Sequence, residues 1–351
     1  MKDENSGVGA PPRRVTLKTV AQDLGLSPAT VSLVLNESPV ADAIPPKTKE
    51  RVLEAARELD YRPDFAARAL RQGRSFSVGV MVSEISGGYS AGVVGGIERT
   101  LLPAGYFGLI ASHEFDQEYL THYLDLLQDR SVDGYILVNT PITEIPRAPT
   151  VLVSGDRGFA QASNIVIDHD HAAELAIGHL IALGHERIAF LKGPDLIPDS
   201  ADRWRAIEET ARRRGLHIPD ELVYQVGSEP SDQIYRLEEF YSQGYALGTE
   251  LARRRSEFTA LFAFNDPSAI AAMRALHEAG IRIPQDISVV GFDDIDSAAF
   301  HNPRLTTIRQ PLDEMGATSA KVLLYAEPTG TQFSDVLYEA KEAWVDVTVP
   351  F

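Results

Sequence analysis

Polar and charged residues stand directly after several apolar segments in the second part of the chain. They occur in "SEISGGYS" (83–90), "VIDHD" (166–170), "KGPDLIPDSADRWR" (192–205), "FAFND" (262–266) and "VVGFDD" (289–294). An arginine offers a fork of hydrogen-bond donors, whereas a carboxylate accepts from two vicinal hydroxyls of a sugar or from a ring N–H of a base. These residue types therefore predict recognition of a small polar molecule.

Several sequence patterns that would indicate catalysis are missing. The chain has no GxGxxG or Walker A phosphate loop and no HExxH zinc spacing. It contains no cysteine, which excludes disulfides, thiolate metal sites and cysteine nucleophiles. We therefore expect no enzyme activity, no catalytic residue, no metal site and no cofactor.

The elements that must position the polar residues alternate between strand and helix from Ser77 onward. Apolar strand segments such as "SVGVMV", "DGYILV" and "ISVVGFD" are separated by helical patterns such as "DHAAELAIGHLIAL" and "PSAIAAMRALHEAG". This order predicts mainly parallel sheets with helices on both faces. Ligands bind at the carboxyl ends of the strands in such sheets, which is where the polar segments fall. The alternation of strands and helices is interrupted near Gly184 and starts again with "RIAFLKG" (187–193).

The first part of the chain has a different pattern, that of a helix-turn-helix. Thr16 can cap "LKTVAQDL", Gly25 suits a left-handed stop, and Ser27 can cap a second helix with Pro28 at its first position. A third helix, "KTKERVLEAARELDY", is expected to bury Val52, Leu53, Ala56 and Leu59. On the second helix one face is apolar (Val31, Val34, Leu35) and the other points outward (Ala29, Thr30, Leu33). Helical hairpins are common, so this pattern alone leaves open whether the hairpin binds DNA or nothing.

An arginine-bearing segment follows the third helix. "YRPDFAARALRQGRS" places Arg68, Arg71 and Arg74 among alanines and Leu70. The segment is either a plain linker or a hinge helix that folds against a two-fold mate on DNA.

Three stretches together resemble the lactose-repressor (LacI/GalR) family of bacterial regulators. They are "VTLKTVAQDLGLSPATVSLVLNES", "TKERVLEAARELDYRPDFAARALRQGRS" and "ISVVGFDDIDSAAFHNPRLTTIRQP". The resemblance implies an N-terminal all-α helix-turn-helix domain and an α/β periplasmic-binding-protein-like body of two doubly wound parallel-sheet lobes joined by three crossovers. The expected boundaries are a disordered tail at 1–14, a DNA-binding domain at 15–62, a hinge at 63–76 and a body at 77–351. Lobe 1 is expected at about 77–183 and 306–330, and lobe 2 at about 185–302 and 331–351.

The resemblance also implies which residues contact DNA. The second helix would enter the major groove, and Leu70 would insert into the minor groove and unstack one base step. Leu33 departs from the family, which has an arginine there, and "PVADAIPP" (39–46) makes a longer loop than usual. Leu33 could pack on a thymine methyl or on its own domain. The expected DNA-contacting residues are Thr16, Ser27, Pro28, Ala29, Thr30, Ser32, Leu33, Asn36, Tyr61, Ala67 and Leu70.

In the body, local match to the family implies that an effector is bound by Tyr89, Asp168, Arg203, Asn265 and Asp293. Alternatives remain for three of them: Asp168 and Asn265 could be helix caps, and Arg203 could be solvated. The implied effector is a sugar or sugar derivative. The alternative is a nucleobase or another metabolite that acts as a co-repressor.

Charge and composition set the partners. Residues 1–74 hold 12 lysines and arginines against 10 acidic residues, a net charge of +2, whereas the remaining 277 hold 21 against 40, a net charge of −19. DNA is therefore expected to approach only the head, and two heads related by a two-fold axis require a homodimer on a near-palindromic double-stranded operator. No secretory signal or membrane-spanning run is apparent, so we expect a cytoplasmic protein without membrane contact. A solute-binding protein is the remote alternative, which the helix-turn-helix opposes.

Overall fold

A computed structural model describes residues 15–36, 39–62, 69–70, 72–155, 158–227, 237–325, 336–338 and 341–343. The chain divides into two compact units, a head (Met1–Ser75) and a body (Phe76–Phe351). None of the helices in the described ranges combines the length and apolar character needed to cross a membrane.

In residues 15–62 the described part of the head contains three α-helices around one small apolar core. Val20, Val31 and Val52 are fully buried, one from each helix. Leu53 was expected in this core but is 46% exposed, because the buried face of the third helix runs through Val52, Ala55 and Ala56. The helices are α1 (Leu17–Leu24), α2 (Pro28–Leu35) and α3 (Pro46–Glu58), with a 3-10 turn (Pro39–Ala43) between the last two.

The turn between α1 and α2 forms as the sequence predicts. Gly25 adopts a left-handed conformation (φ 65°), and its N–H donates to carbonyl oxygens in the last turn of α1. Ser27 Oγ then accepts the Thr30 N–H at 3.0 Å, which satisfies an otherwise unpaired donor at the start of α2. The two caps fix the direction in which α2 leaves the turn.

In the described residues the body contains two lobes, each built on a six-stranded sheet. The sheet of lobe 1 has the strand order β11-β5-β4-β3-β1-β2 and is parallel throughout. Helices cover both of its faces. Its elements are β1 (Ser77–Val82), α4 (Gly88–Leu101), β2 (Phe107–Ser112), α5 (Gln117–Asp129), β3 (Gly134–Val138), β4 (Thr150–Val153), β5 (Ser163–Ile167), α11 (Leu312–Tyr325) and β11 (Val336–Tyr338).

The sheet of lobe 2 has the order β12-β10-β9-β8-β6-β7, parallel except for β12, which runs antiparallel to β10. This architecture confirms the expected fold class. The elements are α6 (His169–Ala182), β6 (Ile188–Lys192), α7 (Ser200–Arg214), a 3-10 turn (Asp220–Leu222), β7 (Val223–Gln225), α8 (Leu237–Arg253), β8 (Ala260–Ala263), α9 (Asp266–Glu278), β9 (Ser288–Asp293), α10 (Asp296–Phe300), β10 (Thr306–Arg309) and β12 (Lys341–Ala343).

The chain passes between the lobes at positions that differ from the expected boundaries. Helix α6 belongs to lobe 2, because its buried alanines and Ile177 pack on Phe190 and Phe262 of that lobe. Strand β10 lies in the second sheet, whereas α11 packs on α4 and the first sheet. The crossovers therefore fall after β5, after β10 and between β11 and β12. The expected assignments of 169–183 and 306–309 to lobe 1, and of 336–338 to lobe 2, are wrong.

Candidate functional site

A cleft of about 550 Å³, partly open to solvent, lies between the two lobes of the body. Lobe 1 contributes the residues that follow β1, β2 and β3 together with the start of α4. Lobe 2 contributes the segment before α7, the start of α9 and the end of β9. The cleft thus lies at the carboxyl ends of parallel strands in both sheets, as expected for a ligand site in an open α/β sheet.

Four of the five residues expected to bind an effector line this cleft: Tyr89, Arg203, Asn265 and Asp293. Asp168 is absent from its walls. Its Oδ1 instead accepts the His171 N–H at 2.9 Å, so it caps α6 at the first crossover. This hydrogen bond confirms the alternative assignment of Asp168 as a helix cap, whereas its expected contact with an effector stays a prediction. Asn265 is a helix cap and also lines the cleft. Its Oδ1 accepts the Ser268 N–H at 3.0 Å at the start of α9, and the residue is part of the cleft wall.

Arg203 is buried and rigidly held, not solvated. Its Nη1 donates to the Phe264 carbonyl oxygen at 2.7 Å and its Nη2 to Asp199 Oδ2 at 3.2 Å. The guanidinium carbon lies 3.8 Å from the ring centroid of Phe292 and 4.8 Å from that of Phe264. His169 Nε2 lies 3.4 Å from the same Asp199 oxygen. Asp199 is buried, but its pKa is lowered to about 2 because Arg203 and His169 offset the desolvation of its carboxylate.

Asp293 is the buried carboxyl at the end of β9. Burial raises its pKa to about 7, although Arg203 and the amide of Gln310, which donates to Oδ1 at 2.7 Å, act in the opposite direction. Behind it, fully buried Asp266 accepts from Thr307 Oγ1 at 2.5 Å and from the Ile295 N–H at 2.9 Å. Burial and the charge of Asp293 raise the pKa of Asp266 as well. The two carboxyls therefore disfavour each other's ionisation.

Lobe 1 presents Glu84 and Tyr89 to the same space. Glu84 follows β1 and accepts the Gly87 N–H at the start of α4, and burial raises the pKa of its carboxyl. Tyr89 donates its hydroxyl to Ser154 Oγ at 2.8 Å, and burial raises its pKa. Both side chains are therefore positioned by contacts within their own lobe.

The sequence reasoning missed Glu84, Asp199 and the aromatic residue Phe115, all of which line the cleft. Phe115 belongs to lobe 1 yet packs against the apolar core of lobe 2. It adopts a left-handed conformation (φ 56°), as does Glu114 (φ 49°), an uncommon backbone for side chains of this size. Glu84 stood directly after a predicted strand, which was a usable signal. Nothing in the local sequence indicates that Phe115 reaches the other lobe.

Backbone strain is concentrated at the strand ends that face the cleft. Asn139, Ser154, Asp293 and Asp294 follow or end β3, β4 and β9, and all have positive φ, with that of Asp293 at 112°. Such conformations cost of order 1–3 kcal/mol each and persist where the surroundings impose them. Among the described residues no group of three or more acidic or histidine side chains could hold a metal ion.

The head carries the residues that are expected to contact DNA. Ala29 is exposed, Thr30 and Leu33 are half-buried, and Leu33 is not a member of the apolar cluster of the head. Leu70 is 88% exposed. Tyr61, in contrast, packs against the head core. The remaining expected residues are placed as follows: Thr16 and Ser27 cap α1 and α2, Pro28 opens α2, Asn36 donates to the Ser32 carbonyl at 2.6 Å, and Ala67 lies outside the described residues.

Comparison with known proteins adds two family matches. Residues 16–64 match the family described as bacterial regulatory proteins, lacI family, and residues 177–332 match the periplasmic binding protein-like domain. The ribose operon repressor of Escherichia coli (strain K12) is 32% identical over 330 residues, which cover 90% of this chain and 94% of that protein.

Solved structures agree with these matches. The lac repressor dimer bound to operator and the anti-inducer ONPF superposes with a TM-score of 0.81 at 25% identity, covering 96% of this chain and 100% of that chain. A LacI family regulator from Enterococcus faecium with bound ribose has a TM-score of 0.66 at 26% identity, covering 78% of this chain and 99% of that chain. The chain therefore belongs to the lacI family of bacterial regulatory proteins, and it is a DNA-binding transcriptional regulator, not an enzyme.

Proposed function

We propose that the protein is a homodimeric repressor whose affinity for a near-palindromic operator is set by a small molecule bound in the cleft of the body. The observation that carries this proposal is the convergence of Tyr89, Arg203, Asn265 and Asp293 on one cavity between two lobes. A sugar or sugar derivative suits the fork of Arg203 and the carboxylate of Asp293, which can bind adjacent hydroxyls. The similarity to a ribose-bound regulator supports the same class.

DNA reading is assigned to the outward residues of α2, with Leu33 against a thymine methyl, and to Leu70 in the minor groove. Two heads acting together read two half-sites, which requires a dimer. The lac repressor to which the chain is similar is a dimer on its operator. Apolar side chains on the edge strand β2 and beside it support association of the body as well, since Leu102 is 70%, Phe107 63% and Ile110 44% exposed. The cytoplasm, where chromosomal DNA is accessible, is the proposed location.

Effector control requires a difference in free energy between two arrangements of the lobes. A ten- to hundredfold change in operator affinity corresponds to about 1.4–3 kcal/mol of preference of the effector for one arrangement. The residues of the two lobes that meet in the cleft supply the contacts that such a preference needs.

The test is selection of bound fragments from sheared genomic DNA by the full chain and by a chain that starts at Phe76. Recovery of a shared near-palindrome by the full chain alone is expected. Operator affinity is then compared between Leu33→Ala and Leu53→Ala, since both truncate an accessible leucine of the head but only Leu33 lies on α2. We expect a loss of about fivefold or more for Leu33→Ala, the equivalent of about 1 kcal/mol at one base pair, and none for Leu53→Ala.

Failure of both proteins to enrich any sequence, with or without a pool of metabolites, would contradict the DNA-binding part of the proposal. Enrichment only when metabolites are present would identify a co-repressor, whereas release by metabolites would identify an inducer.

A further inference from the structure

The charges that line the cleft do not balance. Three carboxylates, Glu84, Asp199 and Asp293, face one guanidinium, that of Arg203, and no other basic side chain among the described residues lines the cavity. Asp199 accepts directly from Arg203 and lies beside His169. Glu84 and Asp293 instead accept from neutral donors, the Gly87 N–H and the Gln310 amide. Within the described part of the chain, Glu84 and Asp293 therefore lack a direct ion-pair partner.

These two carboxyls come from opposite sides of the cleft. Glu84 follows β1 in lobe 1 and is 8% exposed, while Asp293 ends β9 in lobe 2 and is 6% exposed. The charge of Glu84 contributes to the raised pKa of Asp293, so the two groups interact across the cleft. Buried charges of like sign are costly unless a counter-charge or donors are supplied. A bound positive charge would relieve this cost for both lobes at once.

The remaining walls favour an organic cation over a metal ion. The rings of Tyr89, Phe115, Phe240 and Phe264 line the cavity, and aromatic faces attract ammonium groups. The described residues contain no cluster with the donors that a metal ion needs. The polar groups and the aromatic walls together match a ring that carries hydroxyls on its edge and an amine.

We propose that the small molecule bound in this cleft is positively charged, a sugar carrying a protonated amine, whose ammonium group lies between Glu84 of lobe 1 and Asp293 of lobe 2. This proposal rests on the effector control proposed above and specifies its chemistry. The ammonium donates to both carboxylates, and the hydroxyls of the ring meet Arg203 and Asn265. Because the cation is attracted to both lobes, it stabilises the arrangement in which they approach each other.

The experiment uses matched sugars that differ in one substituent. Thermal unfolding of the full chain is followed at pH 7 with glucose, glucosamine and glucuronate, and with galactose, galactosamine and galacturonate, each over a concentration series. Putrescine is included as an amine without a sugar ring. Stabilisation by mass action gives an apparent Kd for each compound. We expect at least one amino sugar to bind tenfold or more tightly than its neutral counterpart, with the acidic sugars the weakest.

Three variants test which carboxylates are responsible. Glu84→Gln and Asp293→Asn each remove one charge with little change in shape, and either should reduce the tenfold preference for the amino sugar to threefold or less. Asp220→Asn removes an exposed carboxylate in the 3-10 turn after α7 and should leave the preference unchanged. If one of the two cleft variants fails to fold, the other still decides the point.

Several outcomes would overturn the proposal. Neutral or acidic sugars that bind as tightly as the amino sugars would refute it while leaving effector control intact. Stabilisation by putrescine alone would show that the site takes an amine without a sugar ring. If no ammonium compound stabilises the chain, the proposal is likewise wrong, and operator selection then decides the proposed function independently.

Discussion

Asp293→Asn should make the effector-free protein more stable at pH 8. The ordinary pKa of an aspartate is 3.8, and in the folded protein burial raises that of Asp293 to about 7. Between these pH values the folded state retains a proton that the unfolded chain has lost. The contribution of Asp293 to stability therefore falls as pH rises through this window, by about 1.4 kcal/mol per pH unit, or about 4 kcal/mol in total.

An asparagine at this position avoids the loss of stability that ionisation of buried Asp293 causes, because it carries no charge. It can still accept from the Gln310 amide, and it can donate to the Gln310 Oε1, which has no hydrogen-bond partner. Asparagine tolerates positive φ about as well as aspartate does, so the backbone adds no penalty. Removal of the Asp293 charge also removes one cause of the raised pKa of Asp266. We expect the variant to gain up to about 4 kcal/mol at pH 8 and little at pH 4.

The assay is urea denaturation of the full chain at pH 4 to 8, followed by tryptophan fluorescence. One of the two tryptophans, Trp204, packs on Phe190 inside lobe 2, so its fluorescence reports on the lobe that contains Asp293. Asp286→Asn is the matched control, and its expected effect on the free energy of unfolding has the opposite sign. Arg282 lowers the pKa of Asp286 to about 2, so this charge stabilises the folded state at neutral pH and its removal should destabilise it. An Asp293→Asn variant that is no more stable than wild type at pH 8, or a stability difference between the two proteins that does not grow from pH 4 to pH 8, would refute the reasoning.

Four further substitutions test other parts of the molecule. Leu70→Ala should weaken specific operator binding far more than nonspecific binding, as measured by competition with random DNA, and equal losses would exclude an inserted wedge. Phe115→Ala should lower the free energy of unfolding by about 1–3 kcal/mol, which is less than the loss for a fully buried phenylalanine. Because it removes a side chain of lobe 1 from the core of lobe 2, the urea midpoints measured by fluorescence and by circular dichroism should separate. Coincident midpoints would argue against a role of Phe115 in joining the lobes. Ser27→Ala should reduce the protection of α2 amides from hydrogen exchange by about 1 kcal/mol, and Thr16→Ala should do the same for the amides of α1. If both variants keep the protection of the wild type in these helices, the caps do not stabilise the head.

The sequence predicts the elements of this protein better than their assignment to lobes. Long apolar segments such as "SVGVMV" and "ISVVGFD" form β1 and β9, because a strand buried on both faces has a recognisable composition. The lobe that a helix joins, however, depends on contacts far away in sequence. Helix α6 follows lobe 1 directly along the chain but packs on Phe190 and Phe262, which no local pattern indicates.

The residues of the cleft are likewise predictable only where a local sequence pattern marks them. Arg203, Asn265 and Asp293 lie in recognisable segments after predicted strands, so their convergence was predictable. Asp168 has a similar sequence context, yet it caps α6 at a crossover, and only the path of the chain separates the two cases. Phe115 reaches lobe 2 through two consecutive residues with positive φ, a backbone conformation that its residue type does not suggest.

The crossovers determine the order in which the body can be completed during synthesis. The apolar clusters of lobe 2 draw their members from one continuous stretch, residues 167–308, apart from the contact with Phe115. One face of the sheet in lobe 1 is instead covered by α11, whose Leu312, Met315 and Leu323 pack on strands made more than 140 residues earlier. The part of that face under α11 remains open to water until α11 leaves the ribosome, and domains generally fold as units as they emerge. The lobe that is translated first therefore cannot complete its apolar core until nearly all of lobe 2 has been made, and until then it exposes apolar surface on which a chaperone could act.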